Sequence, residues 1–168
     1  LAHAEQRGAL IYAELAGVGL SGSVEGLLHY ARRGDPMSKA MLQAAEEASL
    51  VDFISSAANS TASLDLSETL AIKEVFGERA GEISIHSLKS MIGEFDGSGG
   101  IRACSVALSL FHGVIPPTIG TEHLDPQCDL DYTLHHSRRR EVRSALLISC
   151  STGGATLSLW FRRFDRPL

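Results

Sequence analysis

The sequence is poor in the residues that build disulfide frameworks, zinc sites and membrane spans. Its 168 residues include three cysteines, Cys104, Cys128 and Cys150, and none of them belongs to a CxxC pair. An odd, scattered set of cysteines argues against a disulfide framework or a zinc site and favours a reducing, cytoplasmic location. No apolar run approaches the roughly 20 residues of a membrane-spanning helix, so we expect no membrane partner.

Positive charge is also scarce. The chain has 15 Lys and Arg against 20 Asp and Glu, a formal net charge of −5 at pH 7. Nucleic-acid-binding domains are usually basic, so we expect no nucleic-acid partner. The one basic cluster, residues 138–140 with Arg143, is short and is interpreted as a solvated loop or a phosphate contact. Apolar residues make up 44% of the chain, which is enough for a packed core in one domain spanning 1–168.

Strand and helix patterns alternate along the chain, which predicts an α/β fold. The predicted elements are a strand at 9–16, a helix N-capped by Asp35, a strand at 50–57, a helix at 64–76, a strand at 82–86, a helix between Gly97 and Gly113, and strands at 141–149 and 155–164. This β-α-β-α-β-α-β-β order predicts a mixed sheet with helices packed on it, its last two strands forming a hairpin that adds antiparallel edges. Three helices are few for two sheet faces, so we expect another half-domain or subunit to cover one face.

Several chemical motifs are incomplete or absent. Residues 17–22 fit the GxGxxG pattern, but no acidic residue for a ribose ends the next predicted strand, so we interpret them as a flexible strand exit and expect no bound cofactor. None of the seven histidines pairs with another at i, i+4 in a helix, so no metal site is expected. No GxSxG elbow is present to anchor a serine nucleophile.

Six short runs of residues, taken together, carry more information than any single motif. These runs are 7–14, 59–73, Lys89-Ser90-Met91-Ile92-Gly93-Glu94, 97–100, 114–118 and 125–132. Together they closely resemble the C-terminal half of the β-ketoacyl synthases, the thiolase-like condensing enzymes of fatty-acid and polyketide assembly. The resemblance implies a thiolase-like half-fold. We expect the N-terminal half, which in this family carries the Cys nucleophile, to be absent from this chain.

The resemblance also implies that the catalytic positions are degenerate. The family's two histidines align with Ala57 and Glu94, and the phenylalanine that gates the family's active site aligns with Thr152. Alanine moves no proton, and an ionised glutamate would repel the carboxylate of a malonyl unit; a protonated Glu94 could still donate a hydrogen bond. Gly153 and Gly154 keep the family's tight backbone path.

Two further positions match residues that support the family's site. Lys89 and Glu68 align with a lysine and an acid there, and we expect them to form an ion pair that holds the loops in place. Lys89 could instead face a phosphopantetheine-linked acyl chain. Met91, Ile92 and Phe95, beside the altered loop, are candidates for lining an acyl tunnel.

These expectations favour a non-catalytic subunit similar to the chain-length factors. Such a subunit pairs with an active β-ketoacyl synthase, and the pathway substrate is an acyl chain on the phosphopantetheine of an acyl carrier protein. The alternative is half of an acyltransferase or condensing enzyme, completed by a separate or cleaved N-terminal half that carries the Cys. A free-standing binding module fits less well, because half of such a fold would expose a large apolar face.

Overall fold

The computed structural model describes residues 1–24, 29–30, 34–45 and 51–165. In chain order the elements are α1 (Ala2–Gln6), β1 (Glu14–Gly22), α2 (Asp35–Ala44), β2 (Phe53–Ser55), α3 (Ala62–Phe76), a 3-10 helix (Gly77–Glu82), β3 (Ser84–His86), α4 (Lys89–Ile92), α5 (Ser98–His112), β4 (Val114–Ile115), β5 (Arg138–Arg139), β6 (Ser144–Cys150) and β7 (Ala155–Arg162). Five of the strands form one mixed sheet in the order β1-β7-β6-β2-β3. β2 is parallel to β3 and β6, and β7 is antiparallel to β6 and β1.

The predicted alternation is confirmed, but the predicted place of the last hairpin is wrong. β6 and β7 do form the hairpin, yet they lie in the middle of the sheet, and β1 and β3 form its edges. The reason is that β1 pairs with the outer side of β7 along nearly its whole length. β6 is accordingly buried from Ser144 to Ile148, which is typical of a central strand.

Helix ends follow their sequence signals closely. α3 ends at Phe76 and α5 at His112, and the glycines that follow, Gly77 and Gly113, have positive φ values of 55° and 64°. Glycine adopts such angles without steric cost and therefore stops a helix. Asp35 is the first residue of α2 and not its N-cap, a position that Gly34 takes. Residues 46–50, where part of the predicted second strand falls, lie outside the described residues.

The first strand occurs later than predicted because the glycine run is itself part of it. Gly17 and Gly19 lie in β1, where a Cβ on either would come within 1.9 Å of a backbone carbonyl oxygen of α2, that of Ala44 or Ala40. The glycines thus let α2 pack directly against the strand. The interpretation of 17–22 as a flexible strand exit is wrong, because these residues form a paired strand.

Replacing Gly19 with alanine is expected to lower the free energy of unfolding by about 2 kcal/mol, because the new methyl group would overlap backbone that cannot rotate away. Gly81→Ala is the matched control, since a Cβ at Gly81 meets nothing within 4 Å. Urea unfolding of both variants measures the difference. Equal stability of the two variants would contradict this packing role.

Helices cover the two sheet faces unequally. On one face α2 and α3 enclose a large core that includes Met41, Ile54 and Ile72. On the other face α5 packs over a smaller cluster that includes Phe53 and Leu110. The outer side of α5 leaves Ile101, Leu108 and Phe111 exposed, and β1 leaves Val18 and Leu20 exposed.

In the described ranges, none of the helices combines the length and apolar character that crossing a bilayer requires.

One residue of the basic cluster, Arg138, braces the long loop between β4 and β5. Arg138 forms a bidentate ion pair with Asp131, and the bond from its Nη2 to Asp131 Oδ1 is 2.9 Å long. Arg140 donates to the Glu82 carbonyl oxygen at 2.9 Å, and Arg143 pairs with Glu141 at 3.0 Å. Hydrogen bonding to Arg138 lowers the pKa of Asp131. Part of the predicted solvated cluster is therefore structural.

Candidate functional site

A cavity of about 480 Å³ lies where the parallel strands β2 and β3 end. Its walls come from the segments that follow these strands, from α3 and from the loop over residues 118–134. Small-molecule sites have volumes of this order. In open α/β sheets they form outside the carboxyl ends of parallel strands. The cavity wall includes three of the predicted positions, Glu68, Lys89 and Glu94. It also includes Ser56 and Ala58, the residues on either side of Ala57.

The segment after β2 is held by Glu68. This buried carboxylate accepts hydrogen bonds from Ser56 Oγ at 2.6 Å and from the backbone N–H groups of Ala57 at 2.7 Å and Ala58 at 3.0 Å. Burial raises the pKa of Glu68, while these hydrogen bonds and the charge of Arg102 oppose the rise. Glu68 therefore fixes the start of this segment through Ser56 and through the backbone of Ala57 and Ala58.

The predicted Glu68–Lys89 ion pair is wrong. The Lys89 ammonium lies 2.6 Å from Glu94 Oε1 and also donates to the carbonyl oxygen of Ala57 at 2.7 Å. The reason is local: Lys89 begins α4, and the positive φ of Gly93 brings Glu94 back toward it. Glu68, meanwhile, is already occupied by the strand end.

Glu94 is the centre of a small polar network. Its Oε2 accepts a hydrogen bond from Asn59 Nδ2 at 2.5 Å, and Asn59 also donates to the Tyr30 hydroxyl at 3.1 Å. Partial burial raises the pKa of Glu94, but the hydrogen bonds from Lys89 and Asn59 and the nearby positive charges outweigh this effect. The net pKa lies below its ordinary value. Glu94 is therefore ionised at neutral pH, which resolves the ambiguity left by the sequence.

Arg102 was not singled out from the sequence. This residue of α5 is 1% exposed, and its Nη2 donates to the carbonyl oxygens of Ser55, Ser56 and Ile148 at 3.1, 2.8 and 2.6 Å. Burial lowers the pKa of Arg102, and the Glu68 carboxylate opposes that shift. Helical periodicity could have found Arg102, because it shares a buried stripe with Val106, Ser109 and Leu110.

The turn between β6 and β7 keeps its glycines for steric reasons. Gly153 and Gly154 have φ values near +90°, and a Cβ on Gly154 would lie 2.4 Å from Ser23 Oγ. The Gly153 N–H donates to the carbonyl oxygen of His29 at 3.2 Å. Thr152 is exposed and does not line the cavity.

The predicted tunnel residues are not in the cavity wall. Met91, Ile92 and Phe95 are absent from the lining, and Met91 and Phe95 are 40% and 47% exposed. They do not line this cavity, and their place in an acyl tunnel stays a prediction.

Two of the cysteines, Cys128 and Cys150, offer no activated thiol. All three are free. Burial raises the pKa of the Cys128 thiol, which lines the cavity, and raises that of Cys150 to about 12. A thiol with a raised pKa is a poor nucleophile at neutral pH.

Within residues 1–24, 29–30, 34–45 and 51–165, no three His, Cys, Asp or Glu side chains are grouped to hold a metal ion.

The fold and the position of the cavity define the class as thiolase-like. A solved complex of a type II polyketide synthase acyl-carrier protein with its ketosynthase bound to a hexaketide matches 97% of this chain with a TM-score of 0.93 at 34% identity. The ishigamide ketosynthase/chain length factor matches 98% of it with a TM-score of 0.91 at 28% identity. Each match covers 41% of the solved chain.

Sequence comparison gives the family. The model of the β-ketoacyl synthase C-terminal domain matches residues 12–122. A putative polyketide β-ketoacyl synthase 1 of Streptomyces halstedii is 38% identical over 159 residues, 92% of this chain. The 3-oxoacyl-[acyl-carrier-protein] synthase 2 of Staphylococcus aureus strain COL is 36% identical over 170 residues, 98% of this chain. This chain belongs to the β-ketoacyl synthase family. It spans 38% and 41% of the lengths of these two relatives.

Proposed function

We propose that this chain is the C-terminal half of a non-catalytic, chain-length-factor-like subunit that pairs with an active β-ketoacyl synthase in polyketide or fatty-acid chain elongation. The observation that carries the proposal is the chemistry at two positions: Ala57, which is fully buried beside the cavity, and Glu94, which lines it. A methyl group stands at Ala57, and an ionised carboxylate, held by Lys89 and Asn59, stands at Glu94. Neither group supplies the neutral N–H donor that stabilises a developing negative charge on a thioester.

The backbone around Ala57 supports the same conclusion. The N–H groups of Ala57 and Ala58 donate to Glu68, and that of Asn59 donates to Asp65 at 3.2 Å. An oxyanion hole needs N–H groups aimed at the reacting oxygen. Three consecutive donors of this loop are instead used to fix its own conformation, which suits a supporting role.

The proposed partners follow from the uncovered apolar surface and from the relatives. Ile101, Leu108 and Phe111 expose apolar area on the outer side of α5, which we assign to the N-terminal half of the ketosynthase fold. The two solved neighbours are an acyl-carrier protein in complex with its ketosynthase and a ketosynthase/chain length factor. We propose a catalytic ketosynthase and an acyl carrier protein as partners here, with the acyl chain arriving on phosphopantetheine.

The rival function is that of an acyltransferase or condensing enzyme completed by an N-terminal half that carries the Cys. The observation that favours it is the retained cavity, in which a lysine whose side chain is 5% exposed, Lys89, still contacts the loop that bears position 57. In that case the polypeptide containing this chain would itself become acylated.

The test is to purify the protein with its co-eluting polypeptides, identify them by intact mass spectrometry, and incubate the complex with an isotopically labelled acyl-carrier protein thioester. We expect the acyl label on a cysteine of the partner synthase and only background label on the polypeptide carrying this chain, because the proposed subunit has no activated cysteine: the Cys128 and Cys150 thiols have raised pKa values. Label on the polypeptide that carries this chain would establish the rival. Recovery of this chain as a monodisperse 18.0 kDa species would contradict both.

The double variant Ala57→His with Glu94→His separates the loss of histidines from the loss of a nucleophile. We expect no condensation by the polypeptide carrying it, because the histidines act on an acyl group that a cysteine must first hold. Condensation measured as product release by that polypeptide without its partner would contradict the proposal. The unchanged complex serves as the control.

A further inference from the structure

We propose that Glu94 makes the cavity selective for acyl groups that lack a terminal carboxylate. This inference rests on the proposed function, since it names the class of acyl chain that the same cavity accepts. It concerns the charge of the ligand and requires no catalysis by this chain.

The first argument is the charge balance of the cavity wall. Lys89 is the one Lys or Arg among the lining residues that the structure describes. Its ammonium lies 2.6 Å from Glu94 Oε1, so its charge is already balanced. The remaining acidic side chains of the wall are Asp65, Glu68, Glu122 and Asp125. An incoming carboxylate would therefore meet a wall with no uncompensated lysine or arginine and with further acidic groups.

The second argument is the use of hydrogen-bond donors. The Lys89 ammonium and the Asn59 amide are two donors of the wall that could bind a carboxylate, and Glu94 accepts from both, at 2.6 and 2.5 Å. Lys89 also donates to the Ala57 carbonyl oxygen at 2.7 Å. Glu94 thus fills the place that a ligand carboxylate would take. A ligand carboxylate that displaced Glu94 from Lys89 would leave the two carboxylates close together in a partly buried site, where like charges repel.

The third argument is the apolar part of the wall. Ile72, Ile85 and Leu134 line the cavity beside the polar network, and an alkyl chain would contact them favourably. A carboxylate at the end of that chain would lose hydration and would find the Lys89 ammonium already paired with Glu94. The same cavity should therefore bind an uncharged chain and reject its dicarboxylic counterpart.

The experiment compares two amide-linked pantetheine analogues of equal length, hexanoyl and adipoyl, by isothermal titration of the purified complex. The amide link prevents acyl transfer, so the signal reports binding alone. We expect the hexanoyl analogue to bind at least about tenfold more tightly than the adipoyl analogue, a difference typical of one unfavourable charge contact. In Glu94→Gln, which keeps the shape but removes the charge, the ratio should fall below about threefold.

Glu122→Gln is the matched control. Glu122 lines the cavity and is exposed, but it has no ion pair with Lys89, so solvent screening should keep its effect on the ratio within about twofold. The side chain of Glu94 is 41% exposed, and circular dichroism checks that the Gln variant stays folded. A ratio near one in the unmodified protein, an unchanged ratio in Glu94→Gln, an equal fall in Glu122→Gln, or no binding of either analogue would each overturn the proposal.

This outcome is independent of the labelling experiment. Acyl label on the polypeptide carrying this chain would refute the non-catalytic function. The selectivity proposal would still stand if the hexanoyl-to-adipoyl binding ratio depended on Glu94. A flat ratio together with label on the partner alone would refute the selectivity and leave the non-catalytic function in place.

Discussion

Replacing Arg102 with methionine is expected to lower the free energy of unfolding by about 4 kcal/mol, the range found when one member of a buried charged network is removed. The change would leave three buried carbonyl oxygens, those of Ser55, Ser56 and Ile148, without the donor that they share. It would also remove the positive charge that opposes the burial of Glu68. Urea unfolding of the purified complex measures the loss.

Two further variants make this prediction specific to the network. Arg139→Met removes an exposed arginine of the same type and should change the stability by less than about 0.5 kcal/mol. Combining Arg102→Met with Glu68→Gln should cost less than the sum of the single changes, by about 1 kcal/mol or more, because the two side chains are coupled. Strict additivity would show that Arg102 acts through its carbonyl contacts alone.

Acidification is expected to destabilise the protein through His86. This residue of β3 is fully buried and packs against the ring of Phe53, with ring centroids 5.8 Å apart. Burial, with a smaller contribution from the charge of Arg102, lowers its pKa to about 3. The unfolded chain binds a proton below about pH 6.5, whereas the folded chain does not until about pH 3. Stability is therefore present above pH 6.5 and is lost as the pH falls toward 3, by about 3 kcal/mol at pH 4.

The His86→Leu variant isolates this contribution from the carboxyl groups. Lowered pKa values at Glu94 and Asp131 add to the acid sensitivity, and raised values at Asp65 and Glu68 oppose it. These groups are common to both proteins, so the difference in their urea stability between pH 7 and pH 4 reports His86. We expect that difference to favour the Leu variant by about 3 kcal/mol at pH 4. Parallel pH profiles would show that His86 does not remain neutral in the fold.

The element order and most helix ends could be predicted from local sequence. Gly77 and Gly113 stop α3 and α5 because only glycine takes their backbone angles without strain. The later strand patterns correctly predict β2, β3, β6 and β7. The sequence misplaces the first strand because closely spaced glycines serve a phosphate-binding turn and also a strand on which a helix packs directly. Only the position of α2 distinguishes the two uses.

The sequence by itself determined which chemical groups are present at the site: a methyl at position 57, a carboxyl at position 94 and the two glycines of the β6–β7 turn. The tertiary structure decided which groups meet. Lys89 pairs with Glu94 and not with Glu68, and Arg102 and His86 lie buried near the strand ends. The sequence gives the identity of each side chain directly. Its partners, its burial and its protonation depend on which side chains from distant segments the fold places beside it. That is why the identity of Glu94 followed from the sequence and its ionised state followed from Lys89 and Asn59 in the folded chain.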